Sequence, residues 1–189
     1  MIDAYVWTTP NGFKLLAALE ELALPYQPRW IDISKGQQNT SEYLAINPNN
    51  KIPAIVDHDA EGGSVTVFES GAVLIYLADK TGKLLPARGA ARYTTLEWVL
   101  FNAANTGPMF GQLGFFSKFA PEKIALPIER FTKEAHRILG VLDRQLASHA
   151  HIAGAEFSIA DIMNVTWVRA GRDFIGIDYE PYPHVRRCL

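Results

Sequence analysis

The sequence predicts an α+β domain over residues 1–82 and an all-helical domain over residues 91–189, joined by a linker at 83–90. Three observations support that division. Short apolar and aromatic runs bounded by turn residues are clear only in the first part. Long runs with apolar residues at helical spacing fill the second. Between them stands Leu84-Leu85-Pro86-Ala87-Arg88-Gly89, which follows neither period.

The first strand is expected over residues 2–7, an apolar and aromatic run. A helix is expected over 13–22, where Leu15, Leu16, Leu19 and Leu22 repeat at helical spacing. Strand character returns over 26–33, and a short helix fits 41–46. Two further strands, 54–57 and 65–68, flank the turn Asp59-Ala60-Glu61-Gly62-Gly63. A helix over 71–80 completes the order β-α-β, then β-β-α. That order matches a thioredoxin-like domain, a mixed four-stranded sheet covered by helices.

In the second part, one helical run is expected over 91–105 and a break at Gly107-Pro108. A long amphipathic helix is expected over 127–149, with Pro127 in its first turn. Another begins at Ser158. Ser158 and Asp161 have capping-box spacing, with Asp in place of the usual Glu, and Phe157 and Ile162 suit a hydrophobic staple. This motif reads as structural. The chain stops in Pro183-His184-Val185-Arg186-Arg187-Cys188-Leu189 without a helix stop signal, so the helical domain is expected to be truncated at its C-terminal end.

Composition narrows the function classes. With 189 residues, 48% of them hydrophobic, the chain can bury a sizeable core and reads as a soluble globular protein. No apolar run approaches the ~20 residues of a membrane span. The start lacks a signal-peptide pattern, and the single Cys188 cannot form an internal disulfide, so a cytoplasmic location is expected. A net charge of −2 argues against nucleic acid as a partner. Residues 1–82 hold 5 Lys+Arg and 10 Asp+Glu, while residues 83–189 hold 13 and 10. The cationic second part is either ordinary scatter or suited to an anionic ligand. His58, His136, His149, His151 and His184 show no metal-ligand spacing, so no metal is expected.

Two segments carry the chemistry: Asn49-Asn50-Lys51-Ile52-Pro53-Ala54-Ile55-Val56-Asp57 and Phe68-Glu69-Ser70-Gly71-Ala72. The first is a loop, an Ile-Pro bond and a buried strand. The second is a strand that ends in an acid and a hydroxyl where a helix begins. Free N–H groups at a helix start suit a carboxylate, and Glu69 can accept from an ammonium. The backbone of Ile52 can pair with a peptide. A small zwitterionic peptide fits such a site, and glutathione is one. The turn Thr8-Thr9-Pro10-Asn11-Gly12-Phe13-Lys14 precedes the first helix. It holds neither cysteine nor serine. Thr9 and Asn11 are its candidates for donating to a ligand thiolate, and neither is a useful base. Tyr5 reads as a packed strand residue rather than a thiol activator.

These motifs resemble the glutathione transferase superfamily across essentially the whole chain, and most closely its bacterial Nu class. The fungal Ure2-like transferases are similar. The resemblance implies the two-domain transferase architecture, glutathione as co-substrate, and two glutathione molecules or glutathione disulfide bound side by side. Chemistry and resemblance together assign Glu69 and Ser70 to the γ-glutamyl head, Ile52 to the cysteinyl peptide, a cis Pro53 beside it, and Lys51 and Gln38 to the glycyl carboxylate. Arg130 resembles the family arginine that contacts the second glutathione. The implied activity is glutathione-dependent disulfide reduction, with peroxide reduction in addition, using bound thiols and no protein cysteine. Conjugation of apolar electrophiles, with Phe110, Phe115, Phe116 and Phe119 as lining, is the alternative enzyme. A non-catalytic glutathione-binding regulator is the alternative outside enzymes. The family also implies a homodimer, to which the helix around 93–101 contributes.

Overall fold

A computed structural model describes residues 1–189 and divides into two compact units, Met1–Ala87 and Arg88–Leu189. In the first unit the elements run β1 (Ile2–Val6), α1 (Pro10–Glu21), β2 (Tyr26–Trp30), α2 (Ser41–Leu44), β3 (Ala54–Asp57), β4 (Val65–Phe68) and α3 (Ser70–Thr81). The strands form one sheet in the order β2-β1-β3-β4. β1 is parallel to β2 and antiparallel to β3, and β3 is antiparallel to β4. This is the thioredoxin-like arrangement expected from the sequence.

Apolar alternation explains the sheet. Ile2, Ala4 and Val6 are buried while Asp3 and Tyr5 between them are not fully so. α1 and α3 pack on each other, and Leu15, Ala18, Leu19, Leu74 and Leu77 supply the core beneath the sheet. Asp57 ties β3 to α3. Its carboxylate accepts from Tyr76 Oη and Lys80 Nζ, both at 2.6 Å, and from the Asp59 N–H at 3.0 Å. Burial alone would raise this carboxyl, but those donors outweigh it and hold it below the usual range. Helix starts in this unit differ. Thr9 caps α1 and Thr40 caps α2 through their hydroxyls, whereas no side chain caps α3.

The second unit is helical: α4 (Ala90–Phe101), α5 (Gly107–Gly114), α6 (Ala125–Ser148), α7 (Ile159–Ala170) and α8 (Pro183–Arg186). The expected break at Gly107-Pro108 is absent. A wider π-helical stretch, Asn102–Thr106, joins α4 to α5, and Gly107 itself is right-handed helical. Proline's ring clashes with the carbonyl four residues back in a regular α-helix. A π-turn just before Pro108 changes that spacing, so the run continues. A second π-stretch, Phe115–Phe119, ends it. Asn164 locks α7 to this run. Its Nδ2 donates to the Trp98 carbonyl at 3.0 Å, and its Oδ1 accepts from Thr106 Oγ1 at 3.3 Å and Asn102 Nδ2 at 3.4 Å.

The capping box at α7 forms as the spacing predicts. Ser158 Oγ accepts from the Ala160 N–H at 3.2 Å, and Asp161 Oδ2 accepts from the Ser158 N–H at 2.9 Å. Asp161 does more than cap. Its Oδ1 also accepts from the Ile152 N–H at 2.8 Å, which pins the preceding loop.

Candidate glutathione site

Sheet register gathers the sequence motifs. Tyr5 on β1 pairs with Ala54 on β3, and Ala54 pairs with Phe68 on β4. Each of these residues adjoins a motif. β1 leads within a few residues to the Thr9–Asn11 turn, β3 follows Pro53, and β4 runs into Glu69 and Ser70. Three chain segments distant in sequence therefore leave the sheet at one end.

The Thr9 turn is fixed by its own backbone. Thr9 Oγ1 accepts from the Gly12 N–H at 3.2 Å, and the Thr9 N–H donates to the Trp7 carbonyl at 2.8 Å. That cap uses an oxygen lone pair and leaves the Thr9 hydroxyl hydrogen available to a ligand. Gly12 is required sterically: a Cβ there would collide with the Trp7 carbonyl oxygen. Asn11 follows Pro10 in the first turn of α1, where the helix dipole favours an anion. Tyr5 lies in the sheet with its ring 5.9 Å from that of Tyr43.

The Ile52-Pro53 peptide bond is cis, as the motif predicted. Two buried side chains hold the preceding carbonyl. Tyr43 Oη donates to the Lys51 oxygen at 2.7 Å and Asn47 Nδ2 at 2.6 Å. The Lys51 side chain is exposed. The same loop reaches both neighbours: Asn50 Nδ2 donates to Asn39 Oδ1 at 2.7 Å, and Asn49 Nδ2 donates to Glu69 Oε1 at 3.3 Å. Gln38 is turned inward. Its Nε2 donates weakly to the Ile33 carbonyl at 3.4 Å, and its Oε1 is buried without a hydrogen-bond partner.

Glu69 has φ +69°, a strained value for a residue with a side chain. It precedes α3 directly, and Ser70 is the first helical residue. Lys14, to which the turn motif alone assigns no role, lies beside Ser70. It is 2% exposed, and its Nζ is 3.5 Å from Ser70 Oγ. Burial pulls its ammonium down to about 7, against the opposing pull of Glu69. One signal in the sequence could have revealed it. Lys14 shares a helix face with Leu15, Ala18 and Leu19, and lysine is rarely found on a core-facing stripe.

The other named residues belong to the second unit. Arg130 is exposed on α6, within Coulombic reach of Glu134. Phe110 is fully buried and cannot line an open acceptor site, whereas Phe115 and Phe119 are exposed. Cys188 is partly buried, which pushes its thiol above the ordinary value. A cavity of about 370 Å³ in this unit includes Leu142, Leu146, Phe157 and Cys188, but none of the residues named for glutathione. No group of three or more His, Cys, Asp or Glu is placed to hold a metal ion.

Comparison with known proteins decides the family. The glutathione S-transferase N-terminal domain matches residues 8–80, and the C-terminal domain matches residues 107–188. The disulfide-bond oxidoreductase YfcG of Escherichia coli K12 is 44% identical over 188 residues, covering 98% of this chain and 87% of that protein. The chain belongs to the glutathione transferase superfamily. Among solved structures, a transferase family member from Pseudomonas fluorescens with two glutathiones bound superposes with a TM-score of 0.93 at 44% identity. That match covers 99% of this chain and 86% of the other. The transferase URE2P6 of Phanerochaete chrysosporium, in complex with oxidised glutathione, gives 0.92 at 34% identity, with 99% and 88% coverage. The resemblance read from the Thr-Pro-Asn-Gly, Asn-Asn-Lys-Ile-Pro-Ala and Phe-Glu-Ser-Gly motifs therefore holds at the level of the superfamily.

Proposed function

We propose that this transferase is a glutathione-dependent disulfide-bond oxidoreductase of the Nu-class kind. One observation carries the reading. The head of α1, where a thiol-based enzyme of this fold would keep its cysteine, holds Thr9 and Asn11 instead. Burial pushes the chain's single thiol, Cys188, above its ordinary value, which disfavours the nucleophilic thiolate. The reacting sulfurs then belong to the ligands. One glutathione thiolate attacks a substrate disulfide, forming a mixed disulfide and releasing one substrate thiolate, which takes up a proton. A second glutathione thiolate attacks the glutathione sulfur of the mixed disulfide. Glutathione disulfide forms and the second substrate thiol leaves. Two glutathiones and one disulfide thus give glutathione disulfide and two thiols.

In this scheme Thr9 and Asn11 donate to the attacking thiolate, and the protein otherwise supplies position. Glu69 and Ser70 hold the γ-glutamyl head, Ile52 and cis Pro53 the cysteinyl peptide, and Lys51 and a turned-out Gln38 the glycyl carboxylate. Arg130 takes the carboxylates of the second glutathione. Support comes from the relatives: YfcG bears the oxidoreductase name, and neighbouring structures hold paired or oxidised glutathione. The reading extends to a metal-free homodimer working in a reducing cytoplasm, and to peroxide reduction by the same thiols.

The test is reduction of 2-hydroxyethyl disulfide by glutathione, coupled to NADPH and glutathione reductase, with Cys188→Ser beside wild type. Equal, strong turnover in both is expected. Turnover abolished in Cys188→Ser would return the chemistry to a protein thiol. A second reading, conjugation of apolar electrophiles, draws on the exposed Phe115 and Phe119. Aryl-halide conjugation with negligible disulfide turnover would favour it.

A further inference from the structure

We propose that Lys14 is a positioning residue of this site, a buried cation that acts through the Ser70 hydroxyl to receive the α-carboxylate of the ligand's γ-glutamyl head. The inference rests on the assignment of that head to Glu69 and Ser70.

Packing alone does not account for the residue. Lys14 stands on the face of α1 that Leu15, Ala18 and Leu19 bury, and it is as inaccessible as they are. A leucine or methionine would fill that volume without desolvating an ammonium, which is costly. What the lysine adds is a charged donor 3.5 Å from Ser70 Oγ. A serine hydroxyl that accepts from behind still has its own hydrogen to donate forward. Ser70 is also the first residue of α3, whose leading N–H groups no side chain caps. Carboxylate recognition there would combine a hydroxyl, backbone donors and a cation one atom removed.

Glu69 completes the match. Its carboxylate acts on Lys14 through space, and its side chain is the acceptor assigned to the ligand's ammonium. The protein therefore offers a cation and an anion in adjacent positions to a head group with an anion and a cation on one carbon. Ligand-free, burial pulls the Lys14 ammonium from an ordinary value of 10.5 down to about 7, against the opposing pull of Glu69. An arriving carboxylate favours the charged form.

Calorimetric binding to the full chain separates this role from a structural one. Two ligands are compared: glutathione, and 4-aminobutyryl-cysteinylglycine, which keeps the amine but lacks the α-carboxylate. For Lys14→Met, glutathione is expected to bind about tenfold more weakly or worse, the analogue within about threefold of its wild-type affinity. Ligand-free Lys14→Met should melt at or above the wild-type temperature. Lys14→Gln, which keeps a donor to Ser70 without the charge, carries the same expectation for binding should the Met variant not fold. Lys14→Arg should restore most of the discrimination. In Ser70→Ala, further loss of Lys14 should add little, because the two act in series. Equal weakening of both ligands, or of neither, overturns the inference while leaving the glutathione site standing. A wild-type chain that binds no glutathione removes both.

Discussion

Asn11 and Gly12 sit side by side at the head of α1 but answer to different physics. If Asn11 donates to the ligand thiolate as proposed, Asn11→Ala removes that donor. Disulfide turnover should fall by about 10²-fold while glutathione affinity changes little, as single-turnover and binding measurements would report. Equal losses in both would assign Asn11 to binding. Gly12→Ala adds one methyl against a backbone carbonyl that cannot step aside. Its cost, about 1–3 kcal/mol, should appear as a lower melting temperature. The Thr9 and Asn11 positions were legible because turn residues before an apolar period announce a helix start. Lys14 was not, because a lysine's default is the surface and only its place on the helical wheel says otherwise. Glu69 lay between these cases: its side chain was readable from the motif, while its positive φ emerges only when strand, turn and helix are joined.

Elements are held in place here by buried carboxylates. Asp161 accepts three N–H or O–H groups from Ser158 and Ile152 along with its role in starting α7. Asp161→Ala should cost about 2 kcal/mol in urea denaturation and leave turnover of the folded fraction intact. Loss of turnover without loss of stability would refute a structural role. Asp57 performs the equivalent task between β3 and α3. Its native pKa is depressed, so its stabilisation is complete above the unfolded-state value of about 3.9 and drains as pH falls below it. Asp57→Asn should therefore be less stable than wild type at pH 7, and the gap should narrow below pH 4. Helix α7 could be read to the residue because a capping box is local. The continuity of α4 into α5 could not, because Gly107-Pro108 carries the signature of a break. A π-turn stabilised by distant Asn164 overrides it, and no local pattern announces that partner.

At the scale of the molecule, exposed apolar surface and bound ligand matter most. Tyr93 and Leu100 stand on one face of α4, 68% and 62% exposed. If that face joins two copies, Leu100→Asp should convert dimer to monomer in light-scattering chromatography while leaving helical content unchanged. A wild-type monomer would dispose of the idea. The uncapped start of α3 has a different consequence. Helices elsewhere in the first unit complete their opening turns with the chain's own hydroxyls, but α3 has no such cap, and in the proposed site a ligand carboxylate would take that place. Under that proposal the substrate would be a missing structural part, supplied by the medium. In a compartment rich in glutathione the opening turn of α3 would be fastened most of the time. Saturation a hundredfold above Kd would stabilise the whole fold by about 2.7 kcal/mol. Deuterium uptake at the amides of residues 70–73 should slow when ligand is added and quicken as it is depleted. The folded population of this protein would then track the thiol supply on which its chemistry depends.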